Sequence, residues 1–213
     1  MLPRIPSPLL DLYRPLSPWE SFYLKTRWRL CPFGLLESLL PRNGRILDFG
    51  CGYGILSNLL VLRGPDRMVT GIDLNAERIA VASRSAGNRS NITFLLGNVE
   101  RLKPEPFDAA VMTDVLHHIR DDRLEVLLRK IHRCLGSGGI LAILDVDRTP
   151  FWKFCVTYSI DRLLNLSDRL WYRPVPSILD LLKRSGFRVE EVIRADRDLP
   201  LADVLVLCTK DIP

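Results

Sequence analysis

Three glycines crowd the stretch DFGCGYG, Asp48 to Gly54, just after the apolar pair Ile46–Leu47. Glycines this dense at the end of a strand let a backbone wrap a nucleotide. A dinucleotide site spaces them G-x-G-x-x-G and offers bare amides and a helix N-terminus to a pyrophosphate. Here Gly50, Gly52 and Gly54 are spaced G-x-G-x-G, with Cys51 between the first two, and Asp48 stands two residues before them. A carboxylate at that point repels a pyrophosphate. It attracts a cofactor with a positive centre, and S-adenosyl-L-methionine has two, an ammonium and a sulfonium. Asp73, in GIDLN, lies 25 residues beyond Asp48 at the end of the next apolar run, followed by Leu74. A carboxylate there can accept both hydroxyls of a ribose. GNVERL, Gly97 to Leu102, sets Asn98 and Val99 where an adenine edge meets a side-chain amide or a backbone N–H. FDAAVMTDVLHHI, Phe107 to Ile119, ends a buried strand on Thr113, Asp114, His117 and His118.

These residues need a parallel sheet to hold them. Short apolar runs at Arg45–Phe49, Met68–Asp73, Ile92–Leu96, Phe107–Met112 and Ile140–Leu144 read as strands. Helical patterns separate them at Ile55–Leu62, Ala76–Ala86 and Arg123–Cys134, the alternation of an α/β sheet covered on both faces. A helix near Ser177–Ser185, with Gly186 at its C-terminal end, and strands near Phe187–Ile193 and Ala202–Cys208 complete the pattern. Before it, residues 1–16 carry four prolines and read as an extended arm. Ser17, Pro18 and Glu20 form a helix-start signature with a capping box, leading a helix to about Cys31 and a second from Phe33 to Leu40.

The motifs ILDFGCGYG, GIDLN, GNVE, FDAAVMTDVLHHI and LGSGGILAI together resemble a class I, Rossmann-like S-adenosylmethionine-dependent methyltransferase, in motif style near the small-molecule and quinone-biosynthesis types. They cover about Arg45 to Leu144, with Ser137 where the family's glycine turn usually has proline and Asn98 where the third-strand acid is usual. The resemblance implies a seven-stranded, mostly parallel sheet with helices on both faces and the last strand antiparallel. It also implies that Asp48, Gly50, Gly52 and Gly54 line the methionine part of the cofactor, that Asp73 holds the ribose, that Asn98 and Val99 meet the adenine, and that Asp114 meets the amino group mainly through its backbone. The expected organisation is an N-terminal arm and helices over 1–41 and a cofactor-binding domain over 42–213. Within that domain, 149–174 is expected as a substrate-side insertion.

His117 or His118 can serve as a base, because imidazole titrates near neutrality. Adjacent residues on a helix point about 100° apart, so the two cannot line one pocket equally. His132, between Lys130 and Arg133, is expected at the surface. The aromatic segment from Thr149 to Arg173 offers Phe151, Trp152, Tyr158 and Tyr172 as a substrate wall. Lys153, Arg162, Arg169 and Arg173 interleave with those rings, which suits an amphiphile with an anionic head, an aromatic acid, a peripheral membrane contact or stacked bases. Asp145 and Asp147 lack a partner carboxylate–asparagine pair, so no metal site is expected.

The net charge of +5 is spread along the chain, and the five cysteines form neither a CxxC pair nor a disulfide framework. No secretion signal or membrane span is read, and the cytoplasm is the expected compartment. The expected reaction is methyl transfer to a small-molecule or lipid-like acceptor. The competing readings are an RNA or protein methyltransferase, a non-catalytic cofactor-fold scaffold, and an NAD-dependent oxidoreductase. TDVLHH replaces the N/D-P-P-Y type of tetrad and no nucleic-acid module is appended, which speaks against RNA. The glycine spacing and Asp48 speak against NAD.

Overall fold

A computed structural model describes residues 4–99, 106–164, 169–195 and 201–211, without the side chains of 161, 163 and 164. Three helices come first: α1 (Ser7–Asp11), α2 (Pro18–Leu30) and α3 (Phe33–Leu39). The alternation then runs β1 (Gly44–Phe49), α4 (Ile55–Arg63), β2 (Arg67–Asp73), α5 (Ala76–Ala86), β3 (Ile92–Leu96) and β4 (Phe107–Thr113). A 3-10 turn at Leu116–His118 leads to α6 (Asp121–Cys134), β5 (Leu135–Val146), α7 (Phe151–Leu164), α8 (Val175–Arg184), β6 (Phe187–Arg194) and β7 (Asp203–Lys210).

The seven strands form one sheet in the order β3-β2-β1-β4-β5-β7-β6. β1 pairs parallel with β2, and β2 with β3. β7 runs antiparallel between β5 and β6. This is the Rossmann-like arrangement with an antiparallel last strand that the sequence implies. The buried strands are near-continuous apolar runs, as strands covered on both faces must be: Ile46, Leu47, Val111, Met112, Leu141 and Leu144 are all solvent-free. The chain divides into two compact units, Met1–Ala109 and Ala110–Pro213, with the division inside β4.

In the N-terminal unit the capping box forms as the sequence predicts. Ser17 Oγ accepts from Glu20 N at 3.2 Å, and Ser17 N donates to the Glu20 carboxylate at 2.7 Å. The arm is not wholly extended, however. α1 interrupts it, with Leu9 and Tyr13 buried. A five-residue helix is too short to hold itself, so packing against α4 supplies what local propensity does not. Arg67 is fully buried. Its guanidinium pairs with Glu37 Oε1 at 2.8 Å and donates to the carbonyls of Pro41, Leu60, Glu37 and Leu40, tying α3 to the start of β2.

In the C-terminal unit, β5 begins directly after α6 and absorbs the stretch LGSGG, which the sequence suggests is a turn. Gly138 takes φ 68° there, a left-handed value that a side chain would strain. His132 is half-buried rather than on the surface, its ring edge-on to Phe187 at 5.1 Å.

Candidate active site

The N-terminal unit carries the glycine loop. Gly50, Gly52 and Gly54 all have positive φ, at 78°, 55° and 73°. The amides of Gly50 and Cys51 both donate to Ile72 O, at 2.8 and 3.1 Å, which fastens the loop to the end of β2. Gly52 N donates to Asp73 Oδ2 at 2.9 Å, and Asn75 N donates to Asp73 Oδ1 at 2.8 Å. The Asp73 carboxylate is therefore aimed by backbone on both sides. Each of its oxygens keeps further lone-pair capacity for a ligand hydroxyl. A Cβ on Gly52 would meet nothing nearer than the Tyr23 hydroxyl at 3.8 Å, so the loop is open at that glycine. A Cβ on Gly54 would run into the Phe94 ring, so that glycine is required by packing.

Asp48 is 2% exposed and accepts from Ser57 Oγ at 2.5 Å. Burial raises its pKa to about 6, against the lowering effect of Ser57 and with a further rise from the nearby Asp73 charge. Burial, with Asp48 and Asp73 close by, also pushes the Cys51 thiol well above its usual range, so Cys51 is an inert packing group rather than a nucleophile. Leu74 is 75% exposed beside Asp73. Asn98 is exposed and Val99 buried, and Gly97 N donates to Asp73 O at 2.9 Å. Residues 100–102 of that motif lie outside the described residues.

The sequence does not announce the aromatic brace on this loop. Tyr13 donates to Tyr53 O at 3.0 Å and accepts from Asn58 Nδ2 at 2.9 Å. The Tyr23 ring lies 4.4 Å from that of Tyr53. Its only signal is two tyrosines 40 and 30 residues upstream of Tyr53, with no local pattern to connect them.

The C-terminal unit holds the histidines. Asp114 has φ 55°, the sole non-glycine positive φ among the described residues. That conformation turns the chain off β4, and backbone strain of this kind gathers at functional sites. Its amide donates to Leu144 O at 2.9 Å. Thr113 Oγ1 is buried with no hydrogen-bond partner among the described residues. His117 is 2% exposed, and its Nδ1 lies 2.7 Å from Asp145 Oδ1. Asp145 also accepts from Leu116 N and Val146 N, both at 2.7 Å. Burial alone would raise the Asp145 pKa, but His117 and these two amides outweigh it and hold the carboxyl below its usual range. An ionised Asp145 keeps the proton on Nδ1 and leaves Nε2 as the basic nitrogen.

The His117 ring stacks on Tyr172 at 5.2 Å, and Phe154 and Tyr158 meet Tyr172 edge-on at 5.0 and 5.9 Å. His118 is half-buried, 4.4 Å from His117. Of the four expected wall residues, Tyr172 and Tyr158 join this cluster and Phe151 touches its edge through Phe154. Trp152 instead makes its contact with Lys153, Nζ 5.6 Å from the ring. Arg173 is engaged within the chain. It clamps the 3-10 turn, donating to the carbonyls of Leu116, Ile119 and Trp171 and to Asp121. Part of the expected insertion, residues 165–168, lies outside the described residues. Among the described residues no three His, Cys, Asp or Glu are grouped to hold a metal, and no helix is long and apolar enough to cross a membrane.

Residues 46–139 match the family model described as "Methyltransferase domain". An uncharacterized methyltransferase of Bacillus cytotoxicus is 29% identical over 165 residues, covering 73% of this chain and 75% of the relative. Among solved structures, an S-adenosylmethionine-dependent methyltransferase from Mesorhizobium loti superposes with a TM-score of 0.67 at 23% identity, covering 87% of this chain and 99% of the other. The pyocyanin biosynthetic protein PhzM superposes at 0.73 with 17% identity, covering 94% of this chain and 61% of the other. A buried acid ahead of an open glycine turn and a strand-end carboxylate aimed by two amides fit S-adenosylmethionine, the cofactor of such methyltransferases. Residues 46–139 carry a methyltransferase domain, and the chain has the fold of the class I, Rossmann-like S-adenosylmethionine-dependent methyltransferases.

Proposed function

We propose that the chain methylates a small aromatic or lipid-like acceptor whose nucleophilic atom carries a proton, with His117 as the base and Asp145 as its positioning residue. The observation that carries this reading is the buried His117–Asp145 pair beneath the ring cluster of Tyr172, Phe154 and Tyr158. S-adenosylmethionine supplies a methyl group already activated by its sulfonium. The protein's share of the work is holding, aligning and drying the reactants. Asp73 takes the ribose hydroxyls, and Asp48 answers the cofactor's positive charge. The open backbone around Gly52 admits the methionine part, Asn98 and Val99 meet the adenine, and Thr113 and the Asp114 carbonyl offer polar contacts. His117 takes up at Nε2 the proton that the acceptor gives up. The imidazolium so formed is stabilised by the Asp145 charge already in place. The rings exclude water and stack on a flat or apolar acceptor.

Two experiments test this. His117→Gln and Asp145→Asn should leave S-adenosylmethionine affinity within about twofold while turnover falls roughly 100-fold or more, the usual worth of a general base. Unchanged turnover, with an unchanged acid limb of the pH profile, would remove His117 from the chemistry. Cell extract incubated with methyl-labelled cofactor should pass label to organic-soluble small molecules. Label confined to RNA or to precipitated protein would overturn the acceptor class.

A further inference from the structure

α7 has one face turned inward and one left bare. Inward, Thr157 is buried, its Oγ1 accepting from Ala202 N at 3.1 Å, and Phe154 meets Tyr172. Outward, Phe151, Trp152, Cys155 and Ser159 are exposed and recur at helical spacing along about two turns, and Tyr158, whose ring meets Tyr172, stands at the border of the two faces and is also exposed. Phe151 is 70% exposed, Trp152 59% and Tyr158 44%. A helix that buries its aromatic residues for stability does not leave two of them more than half exposed on the same side, with a third at the border.

Cations flank this face. Lys153 Nζ sits 5.6 Å from the Trp152 ring, and the Arg148 guanidinium lies 6.0 Å over Phe154. Between Arg148 and Arg173 the sequence holds five arginines and lysines against two aspartates. Tryptophan, tyrosine and phenylalanine beside basic side chains are what a helix needs to lie in a bilayer's headgroup layer: the rings enter the acyl boundary and the cations stay with the phosphates. A second copy of the chain fits this face poorly. A two-fold contact would gather the Arg148 and Lys153 cations of both copies into one small patch, and one 14-residue helix offers well under the roughly 800 Å² per partner of a stable interface.

We infer that the outer face of α7 docks the protein on an anionic phospholipid surface. Phe154, on the inner face of the same helix, meets the Tyr172 ring that stacks on His117, so docking would set the proposed acceptor cluster next to the lipid phase. The benefit to catalysis rests on the lipid-like acceptor proposed above, but the docking itself does not.

The test is flotation of the full chain with two kinds of vesicle, phosphatidylcholine alone and phosphatidylcholine mixed with phosphatidylglycerol. The wild type should float with the anionic vesicles, much less with the neutral ones, and progressively less as salt screens the attraction. The double variant Phe151→Ser/Trp152→Ser should partition at least about tenfold more weakly, with unchanged melting and unchanged S-adenosylmethionine affinity, because both side chains are exposed. Three results would overturn the inference. The first is no flotation of the wild type with anionic vesicles. The second is equal flotation of the variant. The third is a wild-type dimer, or a complex with a single-stranded RNA oligonucleotide in place of vesicle binding, that the variant loses. Flotation needs no turnover, so failure here leaves the methyl-transfer reading standing, and an inactive protein that still floats leaves the docking standing.

Discussion

Replacing Asp48 with asparagine should make the free protein more stable and its cofactor binding worse. The carboxyl is buried, and its pKa rises from 3.8 to about 6. The folded protein therefore holds this proton more tightly than the unfolded chain. The stabilisation that follows is fully present below pH 3.8 and is lost as pH rises through about 6. Above that, the ionised group costs the fold about 3 kcal/mol, because each tenfold change in proton affinity is worth about 1.36 kcal/mol. Asparagine keeps an oxygen for Ser57 Oγ and never ionises. In thermal melts of the cofactor-free protein, Asp48→Asn should match wild type near pH 4 and melt up to roughly 10 °C higher at pH 8. The gain should grow between those limits. The same substitution removes the charge that answers the cofactor's cationic groups, so S-adenosylmethionine affinity at pH 8 should fall roughly 10- to 100-fold. Wild-type affinity should itself weaken as pH drops through about 6, whereas the variant's should not. A variant no more stable at pH 8 than wild type, or one binding the cofactor equally well, would refute this account of why an acid is buried there.

Arg67→Met should destabilise the protein by roughly 3–5 kcal/mol in urea titrations, because the buried Glu37 carboxylate would lose its one fully buried cation, keeping only the more exposed Arg42 and Arg63, and four carbonyls would lose their donor. Adding Glu37→Gln should recover part of that loss, and no recovery would mean that the guanidinium's carbonyl contacts dominate instead. Gly54→Ala should lower the melting temperature sharply, since φ 73° strains any side chain and the new methyl would strike the Phe94 ring. Phe94→Ala should relieve the steric part only, and a Gly54→Ala protein as stable as wild type would show that the loop relaxes freely.

Much of this architecture is legible along the chain because its signals are local. Glycine spacing, strand-end acids and the 3.6-residue period of α5 lie within a few residues of one another, and the observed bounds of α5 and β3 coincide with the expected ones. What stays hidden depends on distance. Asp145 reads as a lone acid at a strand end, and its meaning comes from His117, 28 residues earlier. Arg67 reads as an ordinary strand-end charge, and its burial is accounted for by Glu37, 30 residues away, and by the carbonyls of Glu37, Leu40, Pro41 and Leu60. Arg173 looks like a ligand-facing cation because its acceptors are the carbonyls of a 3-10 turn more than 50 residues upstream. α1 is invisible because proline-rich sequence gives no periodicity, and Leu9 and Tyr13 are fixed by packing rather than propensity. Asp48 stands out in the sequence for its charge, but nothing along the chain reveals how deeply the fold buries it.

The most direct test of the central claim is a calorimetric titration of the wild-type chain at pH 8 with S-adenosylmethionine and, separately, with NAD. A glycine turn headed by a buried acid, with a strand-end carboxylate held by two amides, predicts saturable one-site binding of S-adenosylmethionine and no heat from NAD. Saturable binding of NAD with no response to S-adenosylmethionine would contradict it.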